Sequence, residues 1–83
     1  MSEQVLVDEY IEPNPNRPGP ADAWLRSYVV PVWVLIGYLE AVHGDVVRVA
    51  VDYDVSVDAV RAAVAYYRRY KAVIDARRGA DVA

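Results

Sequence analysis

The stretch VAVDYDVSVDAVRAAV, residues 49–64, has the pattern of two helices joined by a tight turn, and this pattern decides the expected fold. Ala50 is small enough to let the two helices cross closely, and Asp54, four residues later, lies in the turn. Val55 and Val60 are the apolar positions that would anchor the turn and hold the second helix against the first. Asp54 stands where glycine is usual, in a left-handed conformation that aspartate adopts at some energetic cost. The stretch therefore predicts a helix-turn-helix.

Capping residues and apolar spacing set the expected bounds of the helices on either side of this turn. Asp45 predicts the N-cap of a helix over 46–53, and Ser56 predicts the N-cap of the helix that follows. The apolar stripe of that second helix continues to Arg78, before Gly79, and predicts one helix of about 22 residues and about 33 Å. Such a helix is longer than a three-helix core of this size, so its far end would project or pack on another molecule.

Upstream of the turn, residues 32–43 (VWVLIGYLEAVH) predict a further helix. Valine, tryptophan and isoleucine favour strands, but the length of the segment and its flanking residues favour a helix. Pro31 suits a helix start, and His43 followed by Gly44 is typical of a helix end with a left-handed glycine cap. Because this helix is apolar almost all round, we expect it to be the buried centre, with Gly37 marking a close approach by another helix.

The first 30 residues predict a small β element and an irregular arm. Partial alternation of apolar and charged residues over 4–12 predicts a short strand, and residues 27–30 are also β-prone. The four prolines of PNPNRPGP, residues 13–20, exclude a helix or a central strand, so we expect an extended arm over the core or a flexible linker. Residues 21–26 predict a helical turn, unless Trp24 simply anchors the arm.

Together these segments predict a mainly α fold, a tri-helical helix-turn-helix core with a small N-terminal β-hairpin. We expect a single domain over residues 1–83. It divides into the β element and proline-rich arm (1–30), the helical core (31–78, with the helix-turn-helix at 45–78) and a short tail (79–83).

The composition excludes several classes of protein. The chain has 83 residues, of which 55% are hydrophobic and 25% charged, which is typical of a globular domain and not of a disordered chain. It contains no cysteine and one histidine, which excludes disulfide frameworks, iron–sulfur clusters and multi-histidine metal sites within one chain. The acidic start does not resemble a secretory signal, and the apolar run at 28–39 is too short for a membrane span. We therefore expect a cytoplasmic protein with no membrane partner.

Charge is distributed unevenly along the chain. Residues 1–55 carry nine acidic and three basic residues, whereas residues 56–83 carry three acidic and six basic ones, within a net charge of −3. An acidic chain has no overall attraction for nucleic acid. The basic C-terminal third is therefore the region in which we look for a nucleic-acid contact.

The candidate nucleic-acid contacts lie on the second helix of the helix-turn-helix and its continuation. They are Ser56, Arg61, Arg68, Arg69 and Lys71. Arg61 alone at the start of this helix is able to make a bidentate contact to guanine, and Asp58 beside it would repel phosphate. The run YYRRYK, residues 66–71, interleaves aromatic and basic groups in a way that suits bases and phosphates. The alternative is a solvated face, in which Lys71 pairs with Asp75 one turn later.

The high apolar content and the long last helix predict a homodimer. Its expected interface combines the β element with the apolar stripe of the last helix. The interface residues expected on the last helix are Tyr66, Tyr67, Tyr70 and Ile74.

No metal site or catalytic group is expected. The alternating series Asp52, Asp54, Ser56 and Asp58 resembles a calcium loop, but valine occupies the sixth position and alanine the twelfth, where glycine and glutamate are needed. His43 has no nucleophile beside it and is typical of a helix end. We expect neither a cofactor nor an enzymatic activity.

Residues 31–67, PVWVLIGYLEAVHGDVVRVAVDYDVSVDAVRAAVAYY, resemble the bacterial domain of unknown function 433 family, which is similar to VapB-like antitoxins. The resemblance covers roughly residues 5–78. It is carried by Pro31, Val32, Trp33, Val60, Arg61, Ala62, Ala63, Tyr66 and Tyr67. It implies a tri-helical helix-turn-helix domain with a small β element, often dimeric, and a role as an antitoxin or a DNA-associated regulator.

Two functions from different classes follow. The first is a DNA-binding regulator or antitoxin that contacts double-stranded DNA through Arg61, Arg68, Arg69 and Lys71 of the last helix. The second is a dimeric protein-interaction module that keeps the helix-turn-helix for packing and does not bind DNA, with a toxin protein as a candidate partner. The feature that separates them is the outward face at the start of the second helix, which would contact DNA. This face is poor in hydrogen-bond donors.

Overall fold

The computed structural model describes the backbone of residues 2–82 and the side chains of residues 2–79. It is mainly helical, with a small two-stranded antiparallel sheet, as predicted. No helix within the described residues is long and apolar enough to cross a bilayer. In chain order the elements are α1 (Glu3–Tyr10), β1 (Ile11–Glu12), a 3-10 turn (Pro20–Asp22), β2 (Trp24–Leu25), α2 (Val32–Ala41), α3 (Val46–Tyr53), α4 (Val57–Arg69) and α5 (Lys71–Val82).

The chain opens with a helix, so the predicted strand over 4–12 is wrong except at its last two residues. The Ser2 hydroxyl accepts a hydrogen bond from the amide of Val5 at 3.3 Å, which caps α1. Val7 is buried, and Leu6 and Tyr10 pack against the core at helical spacing. Packing against α4 and the N-cap together outweigh the β preference of the valines.

The small sheet pairs Ile11 with Leu25 and Glu12 with Trp24. The predicted strand at 27–30 is wrong, because this segment is a turn in which Ser27 and Val29 have φ of 74° and 57°. The turn returns the chain to β2, where the Leu25 amide donates to the Val30 carbonyl at 2.8 Å. Hydrogen bonds at the tight turn therefore override the β preference of its valines.

The buried centre of the fold is α4, and not α2 as predicted. Helices α1, α2, α3 and α5 all pack on it. Four of its five buried residues are alanine, and such short side chains let several helices approach at once. On α2, by contrast, Val32, Leu35 and Ile36 are buried and the remaining residues are half-buried or exposed. The buried residues of α4 are Ala59, Val60, Ala62, Ala63 and Ala65.

The local features predicted for α3 and the start of α4 are confirmed. The Asp45 carboxylate accepts a hydrogen bond from the Arg48 amide at 3.0 Å. Asp54 lies in the left-handed region, with φ 55° and ψ 47°, and ends α3. The Ser56 hydroxyl then accepts from the Ala59 amide at 3.0 Å and caps α4.

The predicted single helix of about 22 residues is wrong, because the helix is interrupted at Tyr70. Tyr70 has φ −117° and ψ 34°, and α5 then packs against α2 and the 3-10 turn. In this arrangement Ile74 of α5 lies in the core at 0% exposure. Burying such a side chain stabilises the fold by about 1.5–3 kcal/mol, which offsets the broken helix.

Two further predictions about glycine fail. Gly79 does not end the last helix, so the predicted tail is helical as far as Val82, and residue 83 lies outside the described residues. Gly37 marks no close approach, since a Cβ placed there would meet nothing within 4 Å. Gly44 is left-handed as predicted, with φ 82°, and its amide donates to the Leu39 carbonyl at 2.8 Å. His43, however, is not the helix end, because α2 ends at Ala41 and His43 already has a positive φ of 59°.

Candidate interaction groove

Each residue predicted to contact nucleic acid already has a partner within the chain. Arg61 pairs with Asp58 at 3.6 Å and Arg68 with Glu3 at 2.7 Å. Lys71 pairs with Asp75 at 2.6 Å, as predicted, and the resulting hydrogen bond raises the pKa of Lys71. Arg69 donates to the side-chain amide of Gln4, and Ser56 is occupied as the α4 cap. Phosphate would have to compete with these partners for each cation.

The position of α1 explains the pairing of Arg68 and Arg69. Helix α1 packs along α4, which places Glu3 and Gln4 beside these two arginines although 65 residues separate them in the sequence. The outward stripe left on α4 runs through Arg61, Val64 and Arg68, with Leu6 of α1 at its edge. A duplex major groove needs the free face of a helix, and the exposed residues of α4 are Arg61, Arg68 and Arg69.

The four predicted interface residues separate into three environments. Ile74 is buried within the chain, so the prediction that it forms a dimer interface is wrong in this conformation. The Tyr67 hydroxyl donates to Asp75 at 2.7 Å, and this hydrogen bond raises the pKa of Tyr67. Tyr66 and Tyr70 lie one turn apart, with ring centroids at 4.7 Å and an interplanar angle of 41°. Only these last two face a common groove.

We call this concavity the tyrosine groove; its volume is about 430 Å³. It opens where α1, β1 and the end of the proline-rich arm meet α4. Its lining is mostly apolar, with two carboxylates at the rim. The lining residues are Val7, Asp8, Ile11, Glu12, Pro13, Gly19, Pro20, Ala23, Tyr66 and Tyr70.

Backbone geometry around the arm holds the groove open. Gly19 has φ 110°, a conformation that favours glycine, and it brings the chain into the 3-10 turn that begins at Pro20. The Tyr66 hydroxyl donates to the Pro20 carbonyl at 3.2 Å and ties the arm to α4. Burial and the neighbouring Tyr70 raise the pKa of Tyr66, so this hydroxyl remains a donor at neutral pH. Within the described residues, the Tyr70 hydroxyl has no hydrogen-bond partner.

The rim of the groove is acidic. Glu12 accepts from the indole nitrogen of Trp24 at 3.0 Å and forms a longer ion pair of 3.4 Å with Arg26. Asp8 accepts only from the neutral amide of Gln4, at 2.6 Å, and has no cationic partner among the described side chains. A ligand that brings a cation beside apolar groups would therefore complement the groove.

Sequence reasoning missed Asp8, Glu12 and Arg26, because their roles depend on α1 being a helix. The only available signal was the density of acidic residues at 8–12, next to a proline-rich arm. Among the described residues, no group of three histidine, aspartate or glutamate side chains is arranged to hold a metal ion.

A second concavity, lined by Trp33, Tyr38, Tyr53 and Arg78, lies over Gly37. The Tyr38 hydroxyl donates to Asp52, and this hydrogen bond, with that from Arg48, lowers the pKa of the Asp52 carboxyl. Arg78 is held by Glu40, with an Nη1–Oε1 distance of 3.0 Å. The charged groups here already satisfy one another, which distinguishes this surface from the tyrosine groove.

Comparison of the chain with family models, curated proteins and solved structures finds no match. The resemblance to the domain of unknown function 433 family therefore stays a prediction.

Proposed function

We propose that this protein is a protein-interaction module that docks a polypeptide in the tyrosine groove and does not read DNA. The observation that carries the proposal is the contrast between two surfaces. The cations of the predicted recognition helix have hydrogen-bond or ion-pair partners within the chain. In the groove, by contrast, the Tyr70 hydroxyl has no hydrogen-bond partner and Asp8 has no cationic partner among the described residues. Tyrosine supplies a large contact area at a low entropic cost, which is why it is enriched at interfaces.

We infer that α3, the turn and α4 form a helix-turn-helix that serves packing. Ala50 is buried where the two helices meet, and Val55 and Val60 are buried on either side of the Ser56 cap. The same residues that make the motif compact also turn most of α4 inward. The motif in this chain is thus a scaffold that carries Tyr66 and Tyr70 on its far end.

One version of the antitoxin hypothesis is compatible with this proposal. A toxin protein that docks in the tyrosine groove would be a partner of the proposed kind. Regulation through double-stranded DNA is the competing proposal, and it requires Arg61, Arg68 and Arg69 to exchange their internal partners for phosphate.

A titration of labelled duplex DNA separates the two proposals. We expect no saturable binding at about 50 mM salt, a condition that favours phosphate contacts. Arg61→Ala should behave like the wild type. Salt-sensitive binding by the wild type that Arg61→Ala loses would contradict the proposal and favour direct readout by α4.

A photo-crosslinking group in place of Tyr70 tests the groove itself. We expect covalent products with polypeptide when the group is at position 70. The matched control places it at Val51 on α3, which is 70% exposed and lies outside the groove. Equal yields at the two positions, or none at position 70, would show that the groove is not a docking site.

A further inference from the structure

The tip of the proline-rich arm is a preformed turn. The Asn14 carbonyl accepts from the Arg17 amide at 3.3 Å, and the Asn14 side chain accepts from the Asn16 amide at 2.9 Å. Pro15 occupies the position after Asn14, where its fixed φ favours a β-turn. The tip is exposed and held in one shape, so docking it elsewhere costs little conformational entropy.

Among the described residues, Arg17 at the tip has no carboxylate partner, whereas most other basic residues contact one. Asp8 at the rim of the tyrosine groove is in the complementary situation, a carboxylate without a cation. Arg17 and Asp8 therefore offer the two halves of an ion pair that the monomer does not form.

The arm begins and ends at the groove, since Pro13 and Pro20 both line it. The tip, residues 15–18, spans at most about 13 Å of chain, which keeps it close to the groove entrance. Two copies that face each other across a two-fold axis at this entrance would each present a tip to the partner's groove. Such an arrangement is isologous, because the same pair of surfaces meets twice.

We propose that the occupant of the tyrosine groove is the arm tip of a second copy of this chain. Arg17 of each copy pairs with Asp8 of the other, and the rings of Pro15 and Pro18 lie against Tyr66 and Tyr70. This inference rests on the proposed function, of which it names the partner. The unpaired Tyr70 hydroxyl is the donor for a backbone carbonyl of the incoming tip, since proline-rich segments leave their carbonyls free.

A charge swap tests the contact. In a homodimer, Asp8→Arg sets two arginines against each other at each contact, and Arg17→Asp sets two aspartates against each other. Sedimentation over a concentration series should show self-association of the wild type and a loss of at least about tenfold in affinity for each variant. An equimolar mixture of the two variants should recover association as a heterodimer, because one of its two contacts then joins the substituted arginine to the substituted aspartate and the other keeps the native pair.

The matched control is Glu9→Arg, which makes the same change in charge one residue away, on an exposed side chain that does not line the groove. This variant should dimerise like the wild type. Circular dichroism of all variants checks folding, and the neutral pair Asp8→Asn and Arg17→Gln provides a second measurement in which each change weakens association. A wild type that stays at its monomer mass of 9.3 kDa at every concentration overturns the proposal, as does a mixture that fails to associate.

Failure of this inference is distinguishable from failure of the proposed function. Crosslinks from position 70 to other polypeptides, with a monomeric wild type, overturn the second copy as occupant and leave the groove as a docking site. No crosslinks together with a monomeric wild type overturn both.

Discussion

Arg26 lies at the C-terminal end of α1 and donates hydrogen bonds to three backbone carbonyls there. The distances are 3.3 Å to the Asp8 carbonyl, 3.1 Å to that of Glu9 and 3.5 Å to that of Ile11. A cation here satisfies carbonyls that have no partner within the helix and interacts favourably with the helix dipole. The side chain that follows β2 thus fixes both the end of α1 and the acidic rim of the groove.

Replacing Arg26 tests this role. Arg26→Ala should lower the free energy of unfolding by about 1 kcal/mol, because the carbonyls lose a charged donor. Arg26→Lys should retain part of the stability, since an ammonium group keeps the charge but lacks the planar fork. Urea unfolding measures both. Equal stability of the alanine variant and the wild type would show that the C-terminal end of α1 does not need this donor.

Two elements behave differently from their local sequence pattern, α5 and the middle of α2. Helix α5 is separated from α4 at Tyr70, and its residue Ile74 then lies buried in the core. Helix α2 carries Gly37 although a Cβ placed there would meet no atom within 4 Å. Single substitutions in α5 and α2 test these two features.

Ile74 should account for much of the attachment of α5. Ile74→Ala removes a fully buried side chain and should cost about 2–5 kcal/mol. Val73→Ala, the neighbouring position at 42% exposure, is the matched control and should cost much less. Thermal unfolding of the two variants compares them directly. Similar losses would indicate a continuous helix in solution, in which Ile74 is not buried.

Gly37 should be replaceable with a gain in stability. Gly37→Ala adds a methyl group that meets no atom within 4 Å and should stabilise α2 by about 0.5–1 kcal/mol. Gly44→Ala is the contrasting variant, since Gly44 has φ 82° and alanine should destabilise that position. Chemical denaturation of both variants gives the comparison. Loss of stability in Gly37→Ala would reveal a close contact at this face.

At the scale of the whole molecule, a polar network connects α4, α5 and α2 across the helix break at Tyr70. Asp75 accepts from Tyr67 at 2.7 Å and from Lys71 at 2.6 Å, and Arg78 reaches both Asp75 and Glu40. The hydrogen bonds from Lys71 and Tyr67 lower the pKa of Asp75 below its ordinary 3.8. The hydrogen bond from Arg78 lowers the pKa of Glu40 below 4.5.

These shifts predict how stability depends on pH. A carboxyl with a lowered pKa in the folded state contributes stability above its unfolded pKa and loses it as pH falls through the folded value. The melting temperature should therefore hold from neutral pH to about pH 5 and decline below about pH 4. Asp75→Asn should flatten part of that decline. An acid profile identical to that of the wild type would show that Asp75 does not contribute through its charge.

The local sequence was sufficient to predict those features whose interacting residues lie within four positions of each other. The caps at Asp45 and Ser56, the left-handed Asp54 and the pair between Lys71 and Asp75 all follow from such short-range contacts. The helix predicted over 32–43 is also present, ending at Ala41, because a long apolar segment between Pro31 and Gly44 has few alternatives.

Tertiary contacts decided the rest. Residues 3–10 are helical because they pack on α4, and the helix is interrupted at Tyr70 in an arrangement that buries Ile74 against the core. The partners of Arg68 and Arg69 are 65 residues away, and no local pattern encodes a contact over that distance. The tyrosine groove exists only where α1, the arm and α4 meet. Interactions within a helical turn are set by neighbouring residues, whereas the burial of each face depends on the position of every other element.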